Sequence, residues 1–476
     1  MSNNLIKNSS IYFIGSFVSS VLGIILLPVY TKHMSVEDFG IVSSMKVLIA
    51  ILTIFFTFAI EKSVYRLYFE YKTQEEKKQF FGTVYISVFM FSLVFSILLF
   101  LFNDIISNVY TKLSFYPYFV LAISYTFFHS FSLVPIIYFQ IIQKPYQYIG
   151  LTLLKLLTNN LLIIYFVVFK EHGAIGYLGA NMLAVVIDLP IFLFIIIKTS
   201  SFSFTSSIFF SILKYSFPLI PSQAAAIVIS MSDRIFIERY HTLSDVGVYS
   251  LAYRIGTLII FFTGAFYKAY NPYFYKIANS TPPDIAKNLL QKTNHSFIFG
   301  SLFLGFCLAL FSNEIIDIFF DVRYANAKNI IPIIAVGYAM SQTFDGLFNL
   351  SLYQAKKTSF IFYSAILGAF VNIGFNFLFI PHYGMLGAAY ATVFTFFFTF
   401  NIKYLFVKKS FFVPYKWMSI FSFIFLLSTI YIVFHYLKLS FILSLSLKVI
   451  TVLVILLILI RISNLQWLNN HILQRK

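Results

Sequence analysis

The chain has 476 residues, of which 59% are hydrophobic and only 11% are charged. A soluble domain carries about 25% charged residues, so a soluble protein this apolar could not cover its own surface with polar groups. The composition therefore excludes a soluble globular protein and indicates that most of the chain lies in a lipid bilayer. The formal charge of +17 does not indicate nucleic acid binding, because Lys and Arg residues of membrane proteins collect in cytoplasmic loops.

Long apolar segments follow one another along the chain. A helix that crosses a membrane needs about 20 mainly apolar residues, and the sequence predicts about fourteen such spans. The weakest predictions are the seventh span, which contains Pro218 and Pro221, and the tenth, which contains Asp345. These segments are too long and continuous for the alternating strands of a β-barrel, so we predict an all-α polytopic membrane protein. The spans lie near residues 10–30, 41–60, 82–102, 116–140, 148–169, 174–197, 213–232, 246–267, 295–312, 329–350, 359–379, 384–402, 417–437 and 441–460.

The distribution of basic residues predicts the orientation. If the N-terminus is inside, the inside segments contain most of the 34 Lys and Arg residues, so we expect both termini to be cytoplasmic. The N-terminal apolar run has no small-residue cleavage site and is interpreted as a retained first span. The longest loop, residues 268–294, contains TPPD and four Lys residues and is predicted to be a solvated cytoplasmic linker.

The two halves of the chain resemble each other. Residues 31–45 (TKHMSVEDFGIVSSM) align with residues 238–252 (ERYHTLSDVGVYSLA) at an offset of 207. GYLGA at 176–180 matches GMLGA at 384–388 at an offset of 208. The offset contains an even number of spans, so the halves have the same orientation and form a parallel repeat of six helices each.

This repeat predicts the domain organisation. Residues 1–200 form a first lobe of spans 1–6, residues 201–410 form a second lobe of spans 7–12, and residues 411–476 form the extra spans 13 and 14 with a cytoplasmic tail. Two lobes around a central cavity are the usual basis of alternating access, in which one lobe rocks against the other.

The repeated motif has a structural interpretation. Residues 35–38 (SVED) and 242–245 (TLSD) both match the capping box that starts a helix, so the repeated Asp is expected to bind free N–H groups. The repeat also aligns Gly40 with Gly247, which we expect to allow close helix packing rather than to bind a ligand.

Several basic residues lie inside predicted spans. An ionisable residue there is costly and usually faces a cavity or a partner. Lys46 lies in span 2, and Arg254 in span 8 is one position away from the residue that the repeat aligns with Lys46. We expect the two side chains to face each other across the cavity and to bind a pyrophosphate. Lys155 in span 5 is a third candidate. The alternative is that these side chains snorkel to the headgroups, which we expect for Lys448.

A second group of ionisable residues is assigned to gating or ion coupling. Asp233 and Arg234 at the outer end of span 7 pair with each other, pair with the opposite lobe as a gate, or simply lie at the interface. Asp188 and Asp345 are candidate proton or cation sites, and the alternative for each is a buried acid satisfied by a neighbouring helix. His129 in span 4 is a weaker candidate for proton coupling.

Three segments resemble a known family. SDRIFIERYHTLSDVGVYSLAYRIG at 232–256 resembles the span 7–8 region of bacterial polysaccharide flippases of the O-antigen (Wzx) type, within the multidrug/oligosaccharidyl-lipid/polysaccharide exporter superfamily. GSFVSSVLGIILLPVYTKHMSVEDFGIVS at 15–43 is similar to the first hairpin of that family, and PHYGMLGAAYAT at 381–392 is similar to its span 11–12 junction. The resemblance covers essentially the whole chain.

The resemblance implies a fold and a function. Such proteins have two six-helix lobes in a V shape, often with two added helices, and carry undecaprenyl-pyrophosphate-linked sugars from the cytoplasmic to the periplasmic leaflet. Their cavities are cationic, and basic residues on spans 2 and 8 are implicated in the lipid-pyrophosphate members, where this chain has Lys46 and Arg254. Span 1 here lacks the basic residue of the peptidoglycan-precursor members, and it also lacks the acid expected of drug exporters.

We therefore expect a flippase for an O-antigen, capsule or exopolysaccharide repeat unit, as used in the synthesis of lipopolysaccharide or a similar polymer. We expect it to work by ion-coupled alternating access in a bacterial inner membrane. The predicted partners are the lipid-linked oligosaccharide, membrane lipids and, by resemblance, the polysaccharide polymerase and chain-length machinery, with a monomer as the expected state and no nucleic acid. We predict no catalytic residue, no metal and no cofactor besides a coupling ion, H⁺ or Na⁺. No Walker A pattern is present, and the single cysteine, Cys307, is expected to be a packing residue.

Other functions remain open on the sequence. One is a cation-coupled multidrug exporter of the same superfamily. Another is a membrane glycan polymerase or ligase, although such enzymes usually carry a large periplasmic loop that is not predicted here. An inert assembly scaffold would leave the cations in the spans unexplained.

Overall fold

The computed structural model describes residues 21–437 and 439–473, and the side chains of all of these residues except 106 and 462–473. Within these ranges the regular secondary structure is helical, with no strand. The chain divides into two compact units, Met1–Gly247 and Val248–Lys476, and the boundary falls within one helix. This division differs from the predicted boundary after residue 200, so the lobes inferred from the repeat stay a prediction.

The helices of the first unit follow one another with short connections. In the described residues they are α1 Val21–His33, α2 Val36–Thr57, α3 Ile60–Leu67, α4 Gln74–Leu101, α5 Asn103–Val109, α6 Val120–Ile141, α7 Pro145–Ile163, α8 Gly173–Thr199, α9 Ser206–Ser216 and α10 Ile220–Tyr240.

The second unit begins within α11 Leu243–Gly256. Its further described helices are α12 Ile259–Ser280, α13 Pro283–Leu310, α14 Ser312–Phe319, α15 Ala327–Gln354, α16 Ser359–Lys408, α17 Trp417–Tyr436 and α18 Phe441–Leu473.

Twelve helical segments of the described chain are long and apolar enough to cross a membrane. The longest, α16, has 50 residues and is broken at Gly384, where φ is 55° and ψ is −131°. Glycine adopts such a conformation at little cost, and each arm is still long enough to cross the bilayer. The break lies at the predicted junction of spans 11 and 12. Residues 10–20 of the first predicted span lie outside the described residues. The all-α polytopic class is confirmed.

The predicted linker at residues 268–294 is wrong. Helix α12 continues to Ser280 and α13 begins at Pro283, so only Thr281 and Pro282 connect the two helices. Hydropathy detects only the apolar part of a helix that must lie in lipid, whereas both helices extend past it with more polar turns. Proline fits the first turn of α13 because its missing N–H has no partner there in any case.

The seventh predicted span consists of two α-helices joined by a 3₁₀ turn. Helix α9 ends at Ser216, a 3₁₀ turn covers Phe217–Leu219, and α10 starts at Ile220. Pro218 and Pro221 therefore lie at the start of a new helical segment, where their lack of an N–H group is tolerated. The combined segment Ser206–Tyr240 is long and apolar enough to cross a membrane.

Each unit has its own apolar core. In the first unit Met45 and Phe56 of α2 pack with Phe119 and Val167, so α2 is mostly enclosed by its neighbours while α7 exposes most of its surface. In the second unit aromatic side chains dominate the core, with Phe348 as an example of a fully buried ring. The enclosed position of α2 places Lys46 inside the first unit.

Candidate functional site

The repeat-related starts of α2 and α11 touch each other through their backbones. A Cβ atom on Gly40 would lie 1.9 Å from the carbonyl oxygen of Leu243, and a Cβ on Gly247 would lie 2.2 Å from that of Val36. Val36 and Leu243 are separated by the same offset of 207 residues as the two glycines. The contact is therefore reciprocal, and only glycine fits at either position. The close packing predicted for these glycines is confirmed.

Both predicted capping motifs form, but their carboxylates differ. The N–H of Asp245 donates to Oγ1 of Thr242 at 3.1 Å, and the N–H of Thr242 donates to Oδ2 of Asp245 at 3.1 Å, which completes a capping box. The N–H of Asp38 likewise donates to Oγ of Ser35 at 2.9 Å. However, Oδ1 of Asp38 accepts from the N–H of Ala174 at 3.0 Å, so this side chain also caps the start of α8.

Lys46 donates to the hydroxyl group of Tyr177 rather than to a carboxylate. Its Nζ donates to the phenolic oxygen of Tyr177 at 2.9 Å and lies 4.7 Å from the centre of that ring. The Tyr177 ring packs edge-on against Tyr30, whose hydroxyl donates to Oδ1 of Asn160 at 2.7 Å. Among the described residues, no carboxylate lies within ion-pair distance of Lys46. The ammonium is half-buried and has no carboxylate counter-charge in the part of the chain that the structure describes.

Arg254 does not repeat this arrangement. At the repeat offset of 207, the position equivalent to Lys46 is Tyr253, which is buried and hydrogen-bonded through its hydroxyl to Tyr338. Arg254 is the next residue and is exposed. One residue corresponds to about 100° around a helix, so the two basic residues point from different faces of related helices. That both face one cavity stays a prediction.

Lys155 lies in a polar cluster built from three helices of the first unit. Its Nζ donates to Oγ of Ser132 at 2.7 Å and lies 5.8 Å from the centre of the Phe192 ring. The carboxylate of Asp188 attracts it electrostatically but is not among the described ion pairs. His129 also interacts with the Lys155 charge. The structure thus brings together Lys155, Asp188 and His129, which the sequence treated separately.

Asp233 and Arg234 pair with each other. Nη1 of Arg234 is 3.0 Å from Oδ1 of Asp233, and it also donates to the backbone oxygen of Ser230 at 3.1 Å. Both side chains are buried in the protein, Arg234 at 8% and Asp233 at 2% exposure. The first of the three predicted alternatives, mutual pairing, is what the structure shows, and the gate and the position at the interface stay predictions.

Asp345 has a partner that sequence reasoning missed. Its Oδ2 is 3.1 Å from Nζ of Lys403, a buried residue of α16. Lys403 lies one residue beyond the predicted end of span 12 at residue 402, so the sequence did not indicate it as a partner within the membrane. The structure therefore agrees with the second interpretation of Asp345, a buried acid whose charge is satisfied by a neighbouring helix, rather than with a proton or cation site. Asp345 also lines an apolar cleft of about 400 Å³ together with Phe396 and Trp417.

The snorkelling predicted for Lys448 is wrong. Its Nζ donates to both carboxylate oxygens of Glu314, at 2.8 and 3.0 Å, and both side chains are buried. Snorkelling needs a path to the headgroups, and here α14 covers the ammonium and supplies a counter-charge instead. The sequence does place an acid, Glu314, just after an apolar run, which indicates an ionisable group close to the membrane. Its partner could not be predicted, because Lys448 is 134 residues away.

A second missed acid is Glu238 near the end of α10. It is fully buried and accepts a hydrogen bond from the backbone N–H of Lys112 at 2.5 Å. This contact fixes the loop after α5 to α10. The two residues are 126 positions apart, so no local sequence pattern predicted the contact.

Comparison with known proteins identifies the family. Residues 5–278, more than half of the chain, match the family model described as "Polysaccharide biosynthesis protein". The chain belongs to this family. A second model, described as MatE, matches residues 218–378. The predicted membership of the multidrug/oligosaccharidyl-lipid/polysaccharide exporter superfamily is confirmed.

Solved structures share the fold. The lipid II flippase MurJ in an inward closed conformation is 18% identical and has a TM-score of 0.72, covering 94% of this chain and 98% of its own. A mutant of the Vibrio cholerae MATE transporter VcmN is 14% identical with a TM-score of 0.59, covering 86% and 96%. An uncharacterized membrane protein of Methanocaldococcus jannaschii is 35% identical over 109 residues, which are 22% of this chain and 21% of that protein.

Proposed function

We propose that this protein is a flippase that carries an undecaprenyl-pyrophosphate-linked oligosaccharide from the inner to the outer leaflet of a bacterial inner membrane. The cargo would be the repeat unit of an O-antigen, capsule or exopolysaccharide. Membership of a polysaccharide biosynthesis family supports the sugar cargo, and a fold shared with a lipid II flippase supports movement of a lipid-linked substrate.

The observation that carries this proposal is the state of Lys46. An ammonium in a span is costly and needs a reason to be there. A carboxylate partner would cancel its field, but the partner observed is the Tyr177 hydroxyl at 2.9 Å. A hydroxyl satisfies one N–H and leaves the net charge in place. Such a group is suited to a phosphate, which accepts strong charge-assisted hydrogen bonds.

The other predicted cations divide into two roles. Arg254 is exposed on α11, and its guanidinium can bind a phosphate through two parallel hydrogen bonds, so we propose it as the second pyrophosphate ligand. Lys155 is already near the carboxylate of Asp188, which reduces its attraction for an anion. We therefore assign Lys155 to ion coupling rather than to the substrate.

The proposed cycle is alternating access without a catalytic step. With both termini in the cytoplasm, an inward-open cavity admits the sugar head group while the prenyl chain stays in lipid. Lys46 and Arg254 bind the pyrophosphate, the lobes rock, and an ion gradient resets the carrier. We propose that a polysaccharide polymerase and its chain-length machinery receive the product on the outer side.

A leaflet-translocation assay in proteoliposomes tests the proposal. Its substrates are a prenyl-pyrophosphate oligosaccharide and a cationic drug. We expect the wild type to translocate the lipid-linked sugar, Lys46→Met to lose most of this activity, and Lys46→Arg to retain part of it because the charge remains. Lys62→Met, which removes an exposed lysine of α3, is the matched control and should behave as wild type. Equal rates for Lys46→Met and Lys62→Met would contradict the pyrophosphate site.

The MatE match gives a second candidate, a cation-coupled drug exporter. A cationic drug needs an acid whose charge is available. In the described cleft of the second unit, the acid Asp345 is already paired with Lys403, which disfavours this candidate. Movement of the drug but not of the lipid-linked sugar in the same assay would establish it instead.

A further inference from the structure

A long cleft of the second unit lies between α17 and the helices α15 and α16. Helix α17 packs against α13, and the space that it leaves toward α15 and α16 is a cleft of about 550 Å³. The lining of the cleft runs from Asn329 to Met340 on α15 and from Ile424 to His435 on α17. Each stretch rises about 16 Å at 1.5 Å per residue, which is about half of the ~30 Å hydrocarbon core of a bilayer. The cleft therefore has the length of one leaflet.

Apolar side chains line most of the cleft, and two polar ones mark one end. Phe306, Ile333 and Val336 are examples of the apolar lining. Asn329 and His435 lie at the end where α15 begins and α17 ends, and they also line a neighbouring recess of about 30 Å³. The two spaces are continuous because they share these residues. Binding sites for small molecules are commonly built this way, with a few polar groups that fix the orientation of a mainly apolar ligand.

The recess offers hydrogen-bond donors whose charges are already compensated. The buried ammonium of Lys448 lines the recess and gives two of its three N–H groups to Glu314, at 2.8 and 3.0 Å. Among the described side chains and backbone groups, its third N–H has no acceptor. Lys328 also lines the recess and pairs with Asp317 at 2.6 Å. Donors without an excess of charge suit a phosphodiester oxygen, which accepts strong hydrogen bonds from an ammonium.

The dimensions fit an ordinary bilayer lipid better than the proposed cargo. The recess has about the volume of one water molecule, so it admits a phosphate oxygen but not a sugar ring. A prenyl carrier chain is longer than one leaflet, whereas an acyl chain of a glycerophospholipid spans one leaflet. In such a lipid the phosphodiester lies just beyond the acyl chains, which is where Asn329, His435 and Lys448 lie relative to the cleft.

We propose that this cleft holds one glycerophospholipid of the bilayer, with an acyl chain between α15 and α17 and a phosphodiester oxygen in the recess beside Lys448. With both termini in the cytoplasm, this lipid belongs to the outer leaflet. The site is separate from the proposed cargo and from its transport. A lipid in this place fills the space that α17 leaves, so it joins α17 to α15 and stabilises the folded protein, as a ligand that binds only the native state does.

Lipid retention by variants of two adjacent residues tests the cleft. Ser428 lines the cleft, whereas Thr429, which is also exposed, does not line it and points about 100° away around α17. Wild type, Ser428→Trp and Thr429→Trp are stripped of lipid with detergent, supplied with palmitoyl-oleoyl phosphatidylglycerol and measured by native mass spectrometry. Wild type and Thr429→Trp should retain one lipid per protein, and Ser428→Trp should bind it at least about tenfold more weakly because the indole fills the cleft.

A second variant guards against a local effect of Ser428→Trp. Val336→Trp fills the cleft from the α15 wall and should give the same loss of lipid. Thermal unfolding of each variant without added lipid verifies that it is folded. Equal retention by Ser428→Trp and Thr429→Trp would assign the lipid to the general shell around the protein and overturn the proposal.

A comparison of lipids tests the recess. Diacylglycerol has the same acyl chains without the phosphodiester, and wild type should bind it about tenfold more weakly than phosphatidylglycerol. Asn329→Leu removes one donor from the recess and should narrow this difference. Equal binding of the two lipids to wild type would contradict the phosphodiester site. Displacement of phosphatidylglycerol by an equal amount of undecaprenyl phosphate would show that the cleft takes a carrier lipid, and would overturn the proposal.

Discussion

Lysines inside the two units have different partners. In the first unit Lys46 and Lys155 donate to the hydroxyl groups of Tyr177 and Ser132. In the second unit Lys403 and Lys448 form direct ion pairs with Asp345 and Glu314. A hydroxyl group accepts a hydrogen bond from the lysine ammonium but does not compensate its charge, whereas a carboxylate does both. The first unit therefore keeps the charge of Lys46 available for an anion, while the second uses Lys403 and Lys448 to hold helices together.

Breaking the pair of Glu314 with Lys448 should give the largest change in stability. Glu314→Ala leaves a buried ammonium without a counter-charge, and we expect a loss of about 3–5 kcal/mol in the free energy of unfolding. Thermal unfolding in detergent measures it. The double variant Glu314→Leu with Lys448→Met should recover most of the loss, since no buried charge remains. If Glu314→Ala unfolds at the wild-type temperature, the pair does not hold α18 in place.

Lys46→Met should change binding rather than stability. It removes one charged hydrogen-bond donor, so we expect a loss of about 1.5–3 kcal/mol in the binding free energy of a prenyl pyrophosphate, measured by titration calorimetry in detergent. The unfolding temperature should stay near that of wild type because Tyr177 keeps its packing against Tyr30. Strong destabilisation without a change in affinity would place Lys46 with the structural lysines.

The pair of Asp345 with Lys403 in the second unit, of which only the acid is partly exposed, should respond more weakly. Asp345 is 34% exposed, so water already screens its attraction for Lys403, and we expect Asp345→Asn to cost about 1–3 kcal/mol in the free energy of unfolding. Comparing the loss in the free energy of unfolding for Asp345→Asn with that for Glu314→Ala shows how strongly the burial of an ion pair determines its contribution to stability. A larger loss for Asp345→Asn than for Glu314→Ala would contradict this ordering.

The smallest effects are expected at the two helix starts. Asp245→Ala removes one capping box and should cost about 1 kcal/mol of stability. Asp38→Ala should cost more, because Asp38 also accepts from the N–H of Ala174 at the start of α8. Thermal unfolding of the two variants side by side checks this difference. Equal losses would mean that the contact to α8 contributes nothing.

The sequence predicted local features well. The apolar runs predicted the spans, the repeat predicted that Gly40 and Gly247 allow close packing, and the motif at 242–245 predicted its capping box. Each of these depends on residues near one another in the chain or on one repeat offset. The partners of the charged residues were mostly missed, because Lys448 and Glu314 are 134 residues apart and no local pattern joins them.

The sequence by itself determined that this chain spans a membrane many times as helices, since an apolar segment in lipid must satisfy its backbone hydrogen bonds internally. It also determined the repeat and the capped helix starts. Only the tertiary structure decided which lysines pair with a carboxylate and which donate to a hydroxyl group, and that Tyr253 rather than Arg254 takes the place of Lys46. The physical reason is that the compensation of a charge depends on groups within a few ångströms of it, and helix packing, not chain order, brings those groups together.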